Sequence, residues 1–273
     1  MEKYSVLMSL YKKEKPDFLR QSIESMINQT IMPDEIVIVK DGPLTPKLEQ
    51  VLKEYQTSHP TLFNIVVSEN NVGLGLALNL GLKLCRNELV ARMDTDDISL
   101  PERCEKQLSV FKSEPEIAIV GAFVSEFNTS SFSVVSTRKV PTSHPEIYEF
   151  AKKRSAFNHP VVMYRKSKVI EVGGYANLRR NQDVDLFGRM LFTGCKAKNI
   201  DEALLMFRIN DDLAKRRKSW GGNTKSYIST INKFRKIGYS STWDVLMVAV
   251  AQTAMFLAPL RLQHFIYKKF LRE

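Results

Sequence analysis

Glu88-Leu89-Val90-Ala91-Arg92-Met93-Asp94-Thr95-Asp96-Asp97 is the stretch whose reading decides the fold: an apolar run that stops at three carboxylates within four residues. The run reads as a buried strand. Working back from it, the chain repeats one unit. Tyr4 to Leu10 reads as a strand, and Pro16 to Asn28 as a helix, with Phe18, Ile23, Met26 and Ile27 at helical spacing and Pro16 suited to the first turn. Glu35 to Val39 is a β-branched strand that stops at the turn Lys40-Asp41-Gly42-Pro43, and Leu48, Val51, Leu52 and Tyr55 mark the next helix. Phe63 to Val67 is a third strand, ending at Glu69-Asn70-Asn71-Val72-Gly73, and Leu74 to Leu84 is helical. Strand and helix in strict alternation predict an α/β domain whose parallel sheet carries helices on both faces. Ligands of such sheets bind outside the carboxyl ends of the strands. Tyr11, Asp41, Asn70, Asn71 and Asp94 to Asp97 all fall there.

Working forward, the pattern changes beyond Pro101. A helix from Glu102 to Phe111 precedes an apolar strand, Ile117 to Phe123, and a Ser-rich strand-like stretch from Ser130 to Val140. A helix near Glu146 to Arg154, a short apolar run from His159 to Tyr164, Gly173-Gly174-Tyr175 and a helix starting near Asp183 follow. This mixed region is expected to continue the same sheet and to add a second binding lobe. No linker, repeat or low-complexity tract separates it. With 273 residues, 44% of them hydrophobic, the chain has length for one large domain or two small ones and is not a disordered chain. Cys85, Cys104 and Cys195 are odd in number and widely spaced, which argues against a disulfide scaffold and a zinc ribbon. Met1-Glu2-Lys3-Tyr4-Ser5 runs straight into a strand rather than a signal peptide, so a reduced, cytoplasmic protein is expected.

The net charge of +10 is segregated: from Leu213 to Glu273 there are 12 Lys/Arg and 2 Asp/Glu, while the first 212 residues balance. Such a tail predicts an anionic partner, a phospholipid surface or a nucleic acid. Lys215-Arg216-Arg217-Lys218 precedes a basic helix containing Tyr227, Ile231 and Phe234. The uncharged run from Val245 to Leu260 has 16 residues, short of the roughly 20 that a spanning helix needs. His264 to Arg272 mixes aromatic and basic residues as interfacial helices do. A surface-lying, helical, membrane-associating tail on a peripheral protein is therefore expected, with a packed C-terminal helix and a true span as the alternatives. No nucleic-acid-binding fold is visible, and no nucleic-acid partner is expected.

Three carboxylates at one strand end repel one another unless a cation sits among them. A hard divalent metal that keeps some waters and bridges phosphates suits the site; an Asp-rich turn capping the next helix is the other reading. Gly73-Leu74-Gly75 does not continue as a dinucleotide loop, because the third glycine falls on Leu78, and the P-loop pattern is absent. Asp183 and Asp185 begin a helix, where they either complement its dipole or supply a general base. His59, His144 and His159 each precede proline, which points to turns, and no nucleophile elbow appears.

The ordered set Ser9-Leu10-Tyr11, Ile36 to Gly42, Asn70 to Leu74, Arg92 to Asp97 and Gln182-Asp183-Val184-Asp185-Leu186 resembles the inverting, nucleotide-sugar-dependent family 2 glycosyltransferases of the GT-A fold. Within them it looks like the bacterial capsule and exopolysaccharide branch, for which Arg92 to Gln107 is typical. The resemblance covers about residues 4 to 210. It implies a Rossmann-like mixed sheet in which 1–98 is the nucleotide-sugar-binding half, 99–212 the acceptor-binding half of the same GT-A domain, and 213–273 the basic, apolar tail. It implies that Tyr11 and Asp41 line the base pocket, with Asp41 accepting from a uracil N–H, and that Asn71 and the backbone near Gly73 complete the nucleoside cleft. Arg92, Asp94 and Asp96 would contact the nucleotide-sugar, and Asp96 with Asp94 would hold Mn2+ or Mg2+ on the two phosphates. Asp183 would deprotonate the acceptor hydroxyl. The partners implied are a UDP-linked donor, a lipid-linked saccharide acceptor in surface polysaccharide synthesis, and the anionic cytoplasmic face of the membrane. Lys40 and Gln182 stand where the family commonly carries acids. Two other functions fit parts of the pattern. A non-catalytic glycosyltransferase-like subunit is one, although Asp94, Asp96 and Asp183 are all intact. A sugar-1-phosphate nucleotidyltransferase is the other, but it expects a Gly-rich, Arg-containing loop where this chain has Tyr11-Lys12-Lys13-Glu14-Lys15-Pro16.

Overall fold

The computed structural model describes residues 2–209 and 223–259. Strands β1 (Tyr4–Leu10), β2 (Glu35–Asp41), β3 (Phe63–Ser68) and β4 (Leu89–Arg92) are joined by helices α1 (Pro16–Ile27), α2 (Pro46–Ser58) and α3 (Leu74–Leu84). Proline opens α1 and α2, where its missing N–H costs no hydrogen bond. The strands pair in parallel in the order β3-β2-β1-β4. Alternate residues separate by face. Val6, Met8, Ile36 and Ile38 pack with Leu19, Ile23, Met26, Leu48 and Val51 on one side; Leu7, Val37 and Val39 pack with Ala77, Leu78 and Leu82 on the other. Both faces are covered, which is why these strands read as unbroken apolar runs.

The parallel arrangement stops at β4. The chain continues through β5 (Ile98–Ser99), α4 (Arg103–Ser113), β6 (Ile117–Asn128), β7 (Val134–Arg138), α5 (His144–Ala151), β8 (Met163–Arg165), α6 (Lys166–Glu171), α7 (Gln182–Phe192) and β9 (Lys196–Ile209). The sheet extends as β4-β8-β6-β9-β5, with β7 on β6. β8 is antiparallel to β4 and β6, and β9 is parallel to β6. One mixed sheet of nine strands thus runs through the described residues. β6 is longer than its apolar segment. α5 starts earlier than its apolar spacing, because Ser143 and Glu146 form a capping box around His144-Pro145. The sequence reading missed β9. Its alternation breaks at Asp201-Glu202, and the pairing with β6 shifts register there, between Ala122 and Phe123.

The tail contains α8 (Lys225–Lys236) and α9 (Thr242–Leu257). The described residues of the tail do not lie apart from the body. Ile231, Phe234, Tyr239 and Val248 belong to the same core as Leu186, Phe187, Met190 and Leu191 of α7. The Phe234 ring approaches so closely that a Cβ on Gly188 would lie 2.1 Å from it, so only glycine lets α7 and α8 meet. The Tyr239 hydroxyl donates to the Tyr148 carbonyl at 2.8 Å, and Ser240 donates to the Lys152 carbonyl at 2.8 Å. What faces outward is one stripe of α9: Trp243, Leu246, Met247, Val250 and Leu257. Among the described residues no helix is long and apolar enough to cross a membrane. Lys215 to Lys218 and His264 to Arg272 lie outside the described residues.

Candidate active site

The carboxylate turn after β4 is held from several elements. The Asp94 carbonyl accepts from the Ser22 hydroxyl of α1 at 2.7 Å. Arg92 is fully buried; its Nη2 donates to Asp94 Oδ1, while its Nε and Nη1 lack a hydrogen-bond partner among the described residues. Arg208, near the end of β9, clamps the other end of the turn. Its backbone N–H donates to Asp97 Oδ1 at 2.8 Å, its Nε to the Asp96 carbonyl at 2.6 Å, and its Nη2 to Gln21 Oε1 at 2.6 Å. The guanidinium lies 3.9 Å from the Phe18 ring centroid and 4.7 Å from that of Phe127, a sandwich that fixes its plane. Glu14 joins the cluster through the Thr95 hydroxyl, which donates to it at 3.0 Å.

Burial, and then the negative charges of Asp94 and Glu14, push the Asp96 carboxyl up to about 7. Burial and the neighbouring Asp96 raise Asp97 well above the usual carboxylate range, and burial raises Glu14. This is a site with negative charge in surplus. Among the described residues no group of three or more His, Cys, Asp or Glu side chains is arranged to hold a metal by itself. Asp94 and Asp96, in a turn with surplus negative charge, are the oxygen donors that a hard cation would take.

The second cluster lies at the ends of β2 and β3. Asp41, 4% exposed, accepts at Oδ1 from the Val72 N–H at 2.6 Å, and at Oδ2 from the Gly73 N–H at 3.1 Å and Asn71 Nδ2 at 3.0 Å. The carboxylate ties down the loop that starts α3. Gly42 follows with φ +84°, and a Cβ there would stand 2.9 Å from the Asn71 backbone nitrogen, so the β2 turn and the Asn71 loop touch only through glycine. Asp41, Asn71 and Gly73 thus form one unit. Tyr11, partly exposed at the end of β1, is not hydrogen-bonded to it by its side chain among the described residues.

A cleft of about 590 Å³ brings Asp94 and Asp183 together, although 89 positions separate them in the chain. Asp183 sits in the first turn of α7, and burial raises its pKa. The other candidate, Asp185, is committed elsewhere: Arg189 donates to it from Nε at 2.9 Å and Nη2 at 2.7 Å. His159 also lines the cleft, its Nε2 paired with the Tyr175 hydroxyl at 2.9 Å. Burial, reinforced by Arg92, keeps its pKa well down, so the imidazole is neutral. Tyr227 of α8 and Gln252 of α9 complete one wall. Sequence reasoning took His159 for a turn residue and passed over Arg208. The signal for Arg208 lay in a strand whose pattern is broken; for His159 no local signal existed.

The sequence model of glycosyl transferase family 2 matches residues 5–174. The chain is 38% identical over 270 residues to the amylovoran biosynthesis glycosyltransferase AmsE of Erwinia amylovora, spanning 97% of this chain and 98% of that one. It is 35% identical over 276 residues to the UDP-Gal:alpha-D-GlcNAc-diphosphoundecaprenol beta-1,3-galactosyltransferase of Escherichia coli, spanning 99% and 97%. Among solved structures, S. aureus TarS 1-349 in complex with UDP matches with a TM-score of 0.62 at 16% identity, over 97% of this chain and 78% of that one. The mannosyltransferase PcManGT from Pyrobaculum calidifontis, in complex with GDP-Man and Mn2+, matches with a TM-score of 0.66 at 13% identity, over 97% and 78%. At these identities the structural likeness is one of fold, the mixed α/β GT-A architecture.

Proposed function

Because the chain belongs to glycosyl transferase family 2, we propose that it moves a sugar, with inversion, from a UDP-linked donor to a hydroxyl of a lipid-linked saccharide in surface polysaccharide synthesis. The observation that carries the reading is the meeting of Asp94 and Asp183 across one cleft, with Asp183 free of an ion pair among the described residues and Asp185 held by Arg189. The galactosyltransferase relative from E. coli supports the donor and acceptor classes, and the nucleotide complexes of the structural neighbours support a nucleotide-linked donor.

In this reading residues 1–98 hold the donor and 99–212 the acceptor. Asp41 keeps the Asn71–Gly73 loop closed beside the base, and Tyr11 borders it. Arg92 holds Asp94 in place. Asp94 and Asp96 would bind a Mn2+ or Mg2+ ion, which offsets charge on a departing nucleoside diphosphate. Asp183 takes the proton of the acceptor hydroxyl as its oxygen attacks the anomeric carbon. The bond to the leaving diphosphate breaks on the opposite face, so one displacement inverts the configuration. A carboxylate whose pKa is raised by burial is a better base near neutral pH than an ordinary aspartate. The exposed stripe of α9 and the basic residues of 213–273 dock the enzyme on the cytoplasmic face of the membrane.

The test is calorimetric titration of UDP with manganese, followed by a screen of UDP-, GDP- and dTDP-sugars with the product configuration read by NMR. Wild type is expected to bind UDP only with metal, and Asp96→Ala to lose that binding. Equal affinity in Asp96→Ala removes the metal assignment, and a product with retained configuration removes the single displacement.

A further inference from the structure

Four arginines from three segments enter the cleft around Asp183: Arg138 at the end of β7, Arg154 beyond α5, and Arg179 with Arg180 before α7. Arg138 is already committed, since its guanidinium donates to Glu126 at 3.4 Å and to Asn158 at 3.3 Å. The other three differ. Among the described residues none of them has a carboxylate within 4.0 Å. The Arg154 guanidinium lies over the Phe150 ring, 4.9 Å from its centroid, which orients it without neutralising it. The carboxylates that line the cleft are Asp94 and Asp183, and Asp94 is bonded to Arg92. Positive charge is thus in excess on the Asp183 side, where a hydroxyl must lie for Asp183 to take its proton.

Arg154 and Arg179 are exposed and Arg180 is half-buried, so their charges are open to an incoming anion. Each can give two parallel N–H donors to phosphate oxygens, the geometry in which arginine exceeds lysine. Beside them the cleft meets a shallow groove of about 640 Å³ through the shared residues Val140, Phe150 and Arg154; Pro141 adds to its apolar side, and Thr142, Glu146, Glu149 and Lys153 form a polar side. These arginines, without an ion pair among the described residues, therefore stand between Asp183 and the apolar side of that groove.

We propose that Arg154, Arg179 and Arg180 bind phosphate oxygens of the acceptor, a saccharide joined through a phosphate or diphosphate ester to an apolar chain. Val140, Pro141 and Phe150 take the start of that chain. The inference rests on the glycosyltransferase reading and adds to it the residues that choose the acceptor.

The test titrates hexyl diphosphate into the full-length protein with neither metal nor donor present, with hexyl β-glucoside as the uncharged control and UDP with manganese as the donor control. Wild type is expected to bind hexyl diphosphate and not the glucoside. Arg154→Ala and the Arg179→Ala/Arg180→Ala pair are each expected to weaken that binding at least about tenfold, as loss of charge-assisted hydrogen bonds to phosphate should. Lysine substitutions should recover part of it. The UDP affinity and melting temperature of the variants should match wild type. Unchanged hexyl diphosphate affinity in the variants overturns the proposal, as does its absence in wild type. A parallel loss of UDP affinity overturns it too, by assigning the arginines to the donor. Asp96→Ala keeps the two claims apart: it is expected to lose UDP and keep hexyl diphosphate. A wild type that binds hexyl diphosphate through these arginines but binds no nucleotide leaves this site standing and defeats the donor assignment alone.

Discussion

The two halves of the sheet build the site by different means. From β1 to β4 each functional group stands at, or within a few residues of, the carboxyl end of the strand that presents it: Asp41 ends β2, and Asp94 and Asp96 follow β4. From β5 onward the groups are held by distant partners. Arg208 reaches the Asp96 carbonyl across 112 positions, and Gly188 of α7 receives the Phe234 ring of α8. In the first half the strand end alone sets where each group stands, and contacts such as Ser22 to the Asp94 carbonyl then hold it. In the second, a side chain has its place only once the whole domain, α8 and α9 included, is assembled.

If that contrast holds, the largest effect comes from removing the tail. A chain ending at Asp212 bares the α7 face of Leu186, Phe187, Met190 and Leu191, and it is expected to lose cooperative unfolding by differential scanning calorimetry. A sharp melt near the wild-type temperature would show the tail to be separable after all. Phe234→Ala refines the point. It should cost about 3–5 kcal/mol in urea unfolding, the usual range for a buried phenylalanine, whereas Leu246→Ala on the exposed stripe should stay within about 0.5 kcal/mol.

A smaller effect is expected at Arg208. Arg208→Ala frees the Asp96–Asp97 turn without touching either carboxylate. Loss of charge-assisted hydrogen bonds worth about 1.5–3 kcal/mol each should weaken manganese-dependent UDP binding by roughly tenfold or more. Arg208→Lys should not restore it, because one ammonium cannot span the Asp96 carbonyl and Gln21 or stack between two rings. Wild-type affinity in Arg208→Ala would mean that the turn is rigid by itself, as the strands of the first half are.

The smallest effect lies on the outer face of α9. Trp243→Asp and Val250→Asp should each reduce sedimentation with anionic vesicles. Salt should weaken wild-type binding by screening its basic residues over about 8 Å, without abolishing it, since the apolar part is insensitive to screening. Equal binding of both variants and wild type would leave the stripe without a membrane role.

What the sequence made legible follows the same contrast. The four strands of the first half, their helices and the carboxylate turn were readable because periodicity and strand-end chemistry are local. Helix position alone left Asp183 and Asp185 alike, and the family resemblance chose Asp183; the structure adds that Asp183 lines the cleft while Asp185 pairs with Arg189 one helical turn on. Asp41 was read as a ligand contact; what the structure shows is that it organises the Asn71–Gly73 loop, which depends on tertiary contact. β9 was missed because its bulge at Asp201-Glu202 erases the alternation. The tail was read as a surface element because its charge is visible in sequence, and the glycine that receives Phe234 is not.

The central claim is that Asp183 is the base of a transfer reaction, and Asp183→Asn tests it most directly. With the raised carboxyl pKa, wild-type kcat should fall on the acid side at a pH above the ordinary aspartate value of about 3.9, because the base must be deprotonated to act. In Asp183→Asn that acid limb should vanish and kcat should drop by roughly 10²–10⁴-fold, with UDP affinity unchanged. Wild-type turnover with the acid limb intact would contradict the account and move the base elsewhere.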